Sequence, residues 1–227
     1  MRILPLLAAL LLALPAVAQQ ADPGRLTVTG EGSVASAPDM ALITLGVTSR
    51  AETAAAAMDA TSDATAAVLE TLTGAGIAAT DMQTSDLTLF PLQSDRSASG
   101  AESRITGYEA GNTLTIRVRD LDTLGTTLDA ALDAGANTFR GLSFALQDPV
   151  PALDEARRRA VADARRKAEL YAEAAGITLG PVLELSESGG NGPQPLARFA
   201  AAEAMPIAAG EVDTSAAVTL VFQIATP

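Results

Sequence analysis

The chain predicts an α+β fold in which a mixed, largely antiparallel sheet is covered by helices. Two features predict it. Segments that alternate apolar and polar residues with a period of two are separated by alanine-rich segments of helical period. The order strand, helix, glycine, strand also occurs twice: Met40 to Thr48, a helix, Gly76 and Thr84 to Phe90, then Thr113 to Val118, a helix, Gly135 and Phe139 to Leu146. Further strand-like segments flank this coarse repeat at both ends.

Leu26 to Gly30 and Met40 to Thr48 both alternate, with Gly32 and an Ala37-Pro38-Asp39 turn between them, and predict two strands of a hairpin-like unit. Glu52 to Leu72 lacks proline and stops at Gly74 and Gly76, as a helix does. Its stripe of Ala54, Met58, Thr61, Thr65, Val68 and Leu72 is weakened by two threonines and predicts a peripheral cover on a sheet. Thr84 to Phe90 is the next strand, and Ser94 to Ser103 is a Ser/Ala/Gly-rich connection. Tyr108 to Val118 is a half-exposed strand with Leu114, Ile116 and Val118 on one face and Thr113, Thr115, Arg117 and then Arg119 on the other.

A short helix follows over Leu121 to Ala134, marked by Leu121, Leu124, Leu128 and Leu132, and then the strand Phe139 to Leu146. Pro151 suits the first turn and Gly176 the C-terminus of a long helix ending at Ala175, whose narrow stripe is Ala156, Ala160, Ala164, Ala168, Tyr171 and Ala175. Val182 to Ser186 and Ala217 to Ala225 are the last strands, Gly189 to Pro195 is a loop, and Leu196 to Gly210 is ambiguous.

The N-terminus predicts export. Arg2 is the positive n-region, Ile3 to Leu14 the apolar stretch, and Ala16-Val17-Ala18 a small-residue cleavage pattern, so residues 1–18 are a signal peptide and Gln19 the mature N-terminus. The apolar stretch falls short of the roughly 20 residues of a membrane-spanning helix, and no later run approaches that length. No transmembrane segment is expected in the mature chain. Residues 19–227 are long enough for one domain with its own core, over about 25–226.

Composition narrows the chemistry further. The chain has no histidine and no cysteine, which removes Ser-His and Cys-His nucleophiles, imidazole acid-base catalysis, thiolate zinc sites and disulfides. A net charge of -12 and a pI near 4.3 argue against nucleic acid and anionic lipid as partners.

The order of local motifs resembles one family. The motifs are Val28-Thr29-Gly30-Glu31-Gly32 before Pro38-Asp39-Met40-Ala41, and Asp81-Met82-Gln83-Thr84 before Leu87-Thr88-Leu89-Phe90-Pro91. Gly107-Tyr108-Glu109-Ala110 then leads to Asp120-Leu121-Asp122-Thr123-Leu124-Gly125 and Gly135-Ala136-Asn137. Glu155-Ala156-Arg157, Ala160-Val161-Ala162-Asp163-Ala164-Arg165 and Lys167-Ala168 open the segment ending in Gly176, and Pro206-Ile207 with Gly210-Glu211 precedes the last strand. Together they resemble the SIMPL-domain proteins, which include periplasmic immunogenic and oxidative-stress defence proteins. The resemblance implies a periplasmic or outer-membrane-associated protein without established catalytic residues, an association with oxidative-stress tolerance and, in some members, a ring- or channel-like homo-oligomer. Ser188 to Ala204 matches none of these motifs.

Several constellations have a chemical and a structural use. Gly30-Glu31-Gly32-Ser33-Val34-Ala35 follows a strand as a dinucleotide fingerprint does, but Pro38 intervenes where a helix must begin, so a glycine turn is expected and no cofactor. Asp120, Asp122 and Gly125 hint at a calcium loop, but Leu124 and Ala131 stand where oxygen ligands are required, so a cap on the following helix is expected and no metal. Arg157-Arg158-Arg159 and Arg165-Arg166-Lys167 pair by spacing with acids four residues earlier, as Asp154-Arg158, Glu155-Arg159 and Asp163-Lys167. The same cations, the alanine stripe and the polar strand face with Arg117 and Arg119 also suit contacts between subunits.

Glu31, Asp39, Asp86 and Glu109 are the candidates for a working carboxylate pair, and spacing alone places no two of them together. Lys167 is the only lysine available as a base for a serine, and it lies on a charged helix face. Met40, Met58, Met82 and Met205 are the only sulfur behind the signal. No catalytic, cofactor or metal residues are assigned. The expectation is a non-catalytic envelope protein acting by self-assembly or through an envelope protein partner; a small-ligand-binding or carboxylate-dependent protein and a specific interaction module are the alternatives.

Overall fold

The computed structural model describes residues 24–94, 104–188, 194–196 and 208–225. Residues 1–18, the segment expected to be a signal peptide, most of the Ser94 to Ser103 connection, Met205 and most of Ser188 to Ala204 lie outside the described residues. The fold is α+β, as the periodicities predict, and its strands form two antiparallel sheets, one covered on one face by a single helix and the other by two.

The first sheet takes strands from both ends of the chain. Strand β8 (Glu211–Ala225) lies between β1 (Gly24–Ser36) and β6 (Thr178–Ser188), and the short β7 (Gln194–Leu196) pairs with the start of β8. Gln194 and Pro195 are therefore strand, where a loop was expected. The second sheet has the order β3-β4-β2-β5, from β2 (Met40–Ala51), β3 (Met82–Gln93), β4 (Ile105–Val118) and β5 (Thr138–Ala145).

The coarse repeat has a topological meaning. Helix α1 (Ala54–Gly74) joins β2 to β3, and α2 (Leu124–Asp133) joins β4 to β5. β4 pairs antiparallel with both β2 and β3, and β2 with both β4 and β5. Each β-α-β unit thus leaves a gap that a strand of the other fills, giving a ferredoxin-like split arrangement.

The expected hairpin of β1 and β2 does not form: β1 pairs with β8 and β2 with β4 and β5. Two-residue hairpins favour positive-φ residues such as Asn-Gly, and Ala37-Pro38-Asp39 offers none. Instead the Asp39 N–H donates to the Ala145 carbonyl, and the chain passes from one sheet to the other.

The two sheets have separate cores. On the second, Ile43, Leu45, Leu114, Ile116 and Val118 pack under Val68 and Leu72 of α1 and Leu124 and Ala131 of α2. The inward face of α1 holds Ala57 in place of the predicted Ala54 and Met58. Thr61 and Thr65 are buried, so α1 belongs to the core and is no peripheral cover. Their hydroxyls donate to the carbonyls of Ala57 and Thr61, and Thr61 also reaches the Ala110 carbonyl of β4. Within α2 the buried residues are Leu124, Thr127 and Ala131, and the predicted Leu132 faces outward.

The first sheet is covered by α3 (Val150–Ala175). Its buried row is Ala156, Ala160, Ala164, Ala168 and Ala172, while the predicted Tyr171 is 51% exposed. A row of residues four apart winds slowly round a helix and follows the twist of the sheet beneath, which carries the contact to position 172. Below it, Gly30 and Gly32 lie within β1 and form no turn. A Cβ on Gly30 would strike the carbonyl of Ala160, and one on Gly32 that of Ala156. Gly176 then ends the helix in a left-handed conformation, φ 66°.

Candidate functional site

The helix-free face of the second sheet carries the most site-like geometry. Because Ile43, Leu45 and Val47 point into the core, Thr44, Gly46 and Thr48 point to the open face. Two β-bulges then change what the flanking strands present. Ser85 is the extra residue in β3 between the pairs Thr84–Leu114 and Asp86–Thr113; Arg140 is the extra residue in β5 between Gly141–Thr44 and Phe139–Leu45. Both bulges flank one rung, Leu45–Leu114. A bulge re-aims the side chains around it. A regular ladder would set Asp86 opposite Asn112, on the helix side; the bulge moves it opposite Thr113, with Thr88 and Phe90 following on the open face.

The result is a cleft of about 300 Å³ lined by Asp86, Thr88, Phe90, Glu109, Thr113, Thr48, Thr138 and Arg140. Glu109 accepts from Arg50 Nε at 2.6 Å. The Thr48 and Thr138 hydroxyls are 3.2 Å apart, and the Thr88 hydroxyl donates to the Gly111 carbonyl. Among the described residues, the side chains of Asp86 and Arg140 have no hydrogen-bond or ion-pair partner. The cleft therefore presents one free carboxylate, one free guanidinium and an exposed aromatic ring.

Of the four candidate carboxylates, the structure brings Asp86 and Glu109 into this cleft and sends the other two elsewhere. Glu31 lies on β1, where its N–H donates to Asp163. Asp39 sits at the crossing between the sheets, where its carboxylate accepts from the Gln147 N–H at 2.7 Å and its carbonyl from the Gln147 amide. Gln147 also donates to the Arg119 carbonyl. Arg119 in turn grips Asp81 through Nε and Nη2, at 2.6 and 2.7 Å. These hydrogen bonds with Arg119 hold the Asp81 carboxyl below its usual range although burial opposes it, and they raise the Arg119 guanidinium. A second cleft of about 310 Å³ flanks this pair, and there Asp81 and Arg119 are already joined to each other, with Arg117 and Asp120 also in its lining.

Other expected sites resolve into structural uses. Asp120 accepts from the Asp122 N–H at the turn that leads into α2, the capping use expected of it. Among the described residues, no three Asp or Glu side chains are grouped so as to hold a metal ion. β4 is an inner strand, which removes edge-to-edge pairing through Arg117, and Arg119 is taken up by Asp81. Met40 is buried.

The basic row of α3 has a use that spacing did not suggest. Arg159 donates to the Ser33 carbonyl, Asp163 accepts from the Glu31 N–H, and Lys167 donates to the Thr29 carbonyl. These are alternate residues of the outer edge of β1, so α3 closes that edge with three side chains spaced four apart. The hydrogen bonds of Lys167, Arg166 and the Glu31 N–H, in that order, hold the Asp163 carboxyl far below the usual carboxylate range. The predicted pairs Glu155–Arg159 and Asp163–Lys167 form, at 3.1 and 2.7 Å. Asp154 pairs with Arg157 in place of Arg158, because Arg157 also reaches Glu187 of β6, and Arg158 turns to Glu155.

The chain is similar to known proteins along most of its length. The 26 kDa periplasmic immunogenic protein of Brucella melitensis is 40% identical over 226 residues, which cover 93% of this chain and 90% of that protein. The uncharacterized protein YggE of Escherichia coli K12 is 30% identical over 204 residues, 89% of this chain and 82% of that one. YggE of Edwardsiella ictaluri is 33% identical over 181 residues, covering 78% and 74% of the two chains. The description "SIMPL: Protein of unknown function (DUF541)" matches residues 26–222, which run from β1 into β8 through both sheets, and the chain belongs to the SIMPL family.

Proposed function

We propose that this chain is an exported, non-catalytic protein of the cell envelope that acts by self-assembly or by binding an envelope protein partner. Any part in oxidative-stress tolerance is then indirect, since no thiol is available to react. Export rests on the pattern Arg2 to Ala18, and a periplasmic address is supported by the name of the Brucella relative. Residues 19–227 act as one unit in this proposal, tied at the crossing by Asp39, Gln147 and Arg119.

The observation that carries the proposal is the unequal treatment of sheet edges. The β1 edge is closed by α3, whereas β6, at the other edge of the same sheet, is exposed from Pro181 to Ser188 and shows Val182, Leu183 and Leu185 to solvent. An exposed apolar edge strand is a template for pairing with another chain. Native mass spectrometry of the secreted protein tests this: a discrete multimer is expected, and Leu185→Lys shifts it toward monomer without lowering the melting temperature. A monomer at micromolar concentration, at every salt level, would sink self-assembly. Crosslinking in cells then distinguishes a dedicated partner.

A further inference from the structure

We infer that the bulge-flanked cleft binds a small zwitterion of the α-amino-acid type, independently of any self-assembly. Asp86 and Arg140 stand on opposite edge strands, and each reaches the cleft only because its strand carries an extra residue beside the rung Leu45–Leu114. Two bulges framing one rung, each delivering one charge of opposite sign to a shared hollow, is a built arrangement and no by-product of strand pairing. Neither charge has a partner among the described residues, so the site offers both free to a ligand.

The charge pattern selects the ligand class. Glu109 is neutralised by Arg50, which leaves Asp86 and Arg140 as one negative and one positive group. A ligand of matching chemistry carries a carboxylate for the planar guanidinium and an ammonium for the carboxylate, with no net charge. A surrounding net charge of -12 disfavours phosphorylated or polyanionic ligands at long range. Phe90, 58% exposed at the same cleft, supplies an apolar surface for a side chain. The volume of about 300 Å³ is at the lower bound of small-molecule sites and suits an amino acid better than a larger metabolite.

Isothermal titration calorimetry of the full mature protein with the twenty free amino acids tests this, with the oligomeric state recorded in the same samples. At least one amino acid is expected to bind, and Asp86→Asn and Arg140→Gln each to weaken it by about tenfold or more. Both side chains lie on the surface outside the two cores, so the variants keep the fold, which circular dichroism checks. Blocked ligands assign the ends: the N-acetyl form of the bound amino acid becomes insensitive to Asp86→Asn, and its amide insensitive to Arg140→Gln. No heat with any amino acid at about 10 mM, or binding unchanged in both variants, overturns the assignment. Neither result touches the proposal of self-assembly, which stands or falls on the multimer alone.

Discussion

The two sheets solve the same problem, a helix laid on an antiparallel sheet, with opposite materials. Under α3 the contact is alanine on glycine: Ala156, Ala160 and Ala164 rest on Gly30 and Gly32, and the helix backbone itself touches the strand. Under α1 and α2 it is branched aliphatic on branched aliphatic, from Ile43, Leu45, Leu114 and Ile116 to Val68 and Leu72. The first arrangement gains close approach, which brings the α3 side chains near enough to close the β1 edge with Arg159, Asp163 and Lys167. The second gains buried apolar area, at roughly 25 cal/mol per Å². One interface has no room to grow, and the other has the most to lose by shrinking.

The largest expected effect comes from adding atoms to the first interface. Gly30→Val forces its side chain into the Ala160 carbonyl and the Ala164 N–H, both backbone groups that no rotamer change can move aside. A loss of about 4 kcal/mol or more, at the upper end of overpacking effects, is expected in urea denaturation. Gly125→Ala, in the exposed first turn of α2 where nothing lies within 4 Å, is the control and gains a few tenths. A tolerated Gly30→Val would mean that α3 can lift off the sheet, and the contrast between the halves would fail. Removing atoms from the second interface comes next. Leu72→Ala leaves a cavity under α1, where Leu72 is fully buried, and costs about 3 kcal/mol.

Asp81→Asn probes the Arg119 cluster at the crossing. Asp81 is 6% exposed and Arg119 about half exposed, so the pair is partly screened, and about 1–2 kcal/mol is lost at pH 7. The sign with pH is fixed. Arg119 lowers the Asp81 carboxyl in the folded state, so its contribution is complete above the unfolded value of about 3.9 and fades as pH falls through the lower folded one. Wild type and variant should therefore converge in stability as pH falls below about 4; a constant gap would show that the charge of Asp81 plays no part.

Legibility in the sequence followed the length scale of each interaction. Alternation locates the strands, and the twofold strand-helix-strand order is visible in the sequence although its interleaved topology is not. Gly30 and Gly32 read as a turn in the sequence because a glycine required by a neighbour about 130 residues away looks the same as one required by a turn. Asp86 is legible as a carboxylate of interest, whereas Arg140 is not: bulges decide which face each presents, and a bulge depends on pairing with a partner strand. The α3 cations were correctly paired within the helix in two of three cases, but their reach to β1 crosses the fold and leaves no periodic trace.

The smallest expected effects separate the two halves by sign. Each buries a threonine. Thr61 donates its hydroxyl to the Ala57 and Ala110 carbonyls, binding α1 to β4. Thr214 of β8 is 1% exposed, and its hydroxyl has no partner among the described residues. Valine has nearly the shape of threonine, so replacing either changes hydrogen bonding more than packing. Thr61→Val removes a satisfied donor and should cost about 1 kcal/mol, while Thr214→Val removes an unsatisfied one and should gain about as much. Opposite shifts of the urea midpoint at unchanged slope are the expected signature. If Thr214→Val were destabilising, a water bonded to that hydroxyl would have to be part of the first core, and the alanine interface would be less dry than its packing implies.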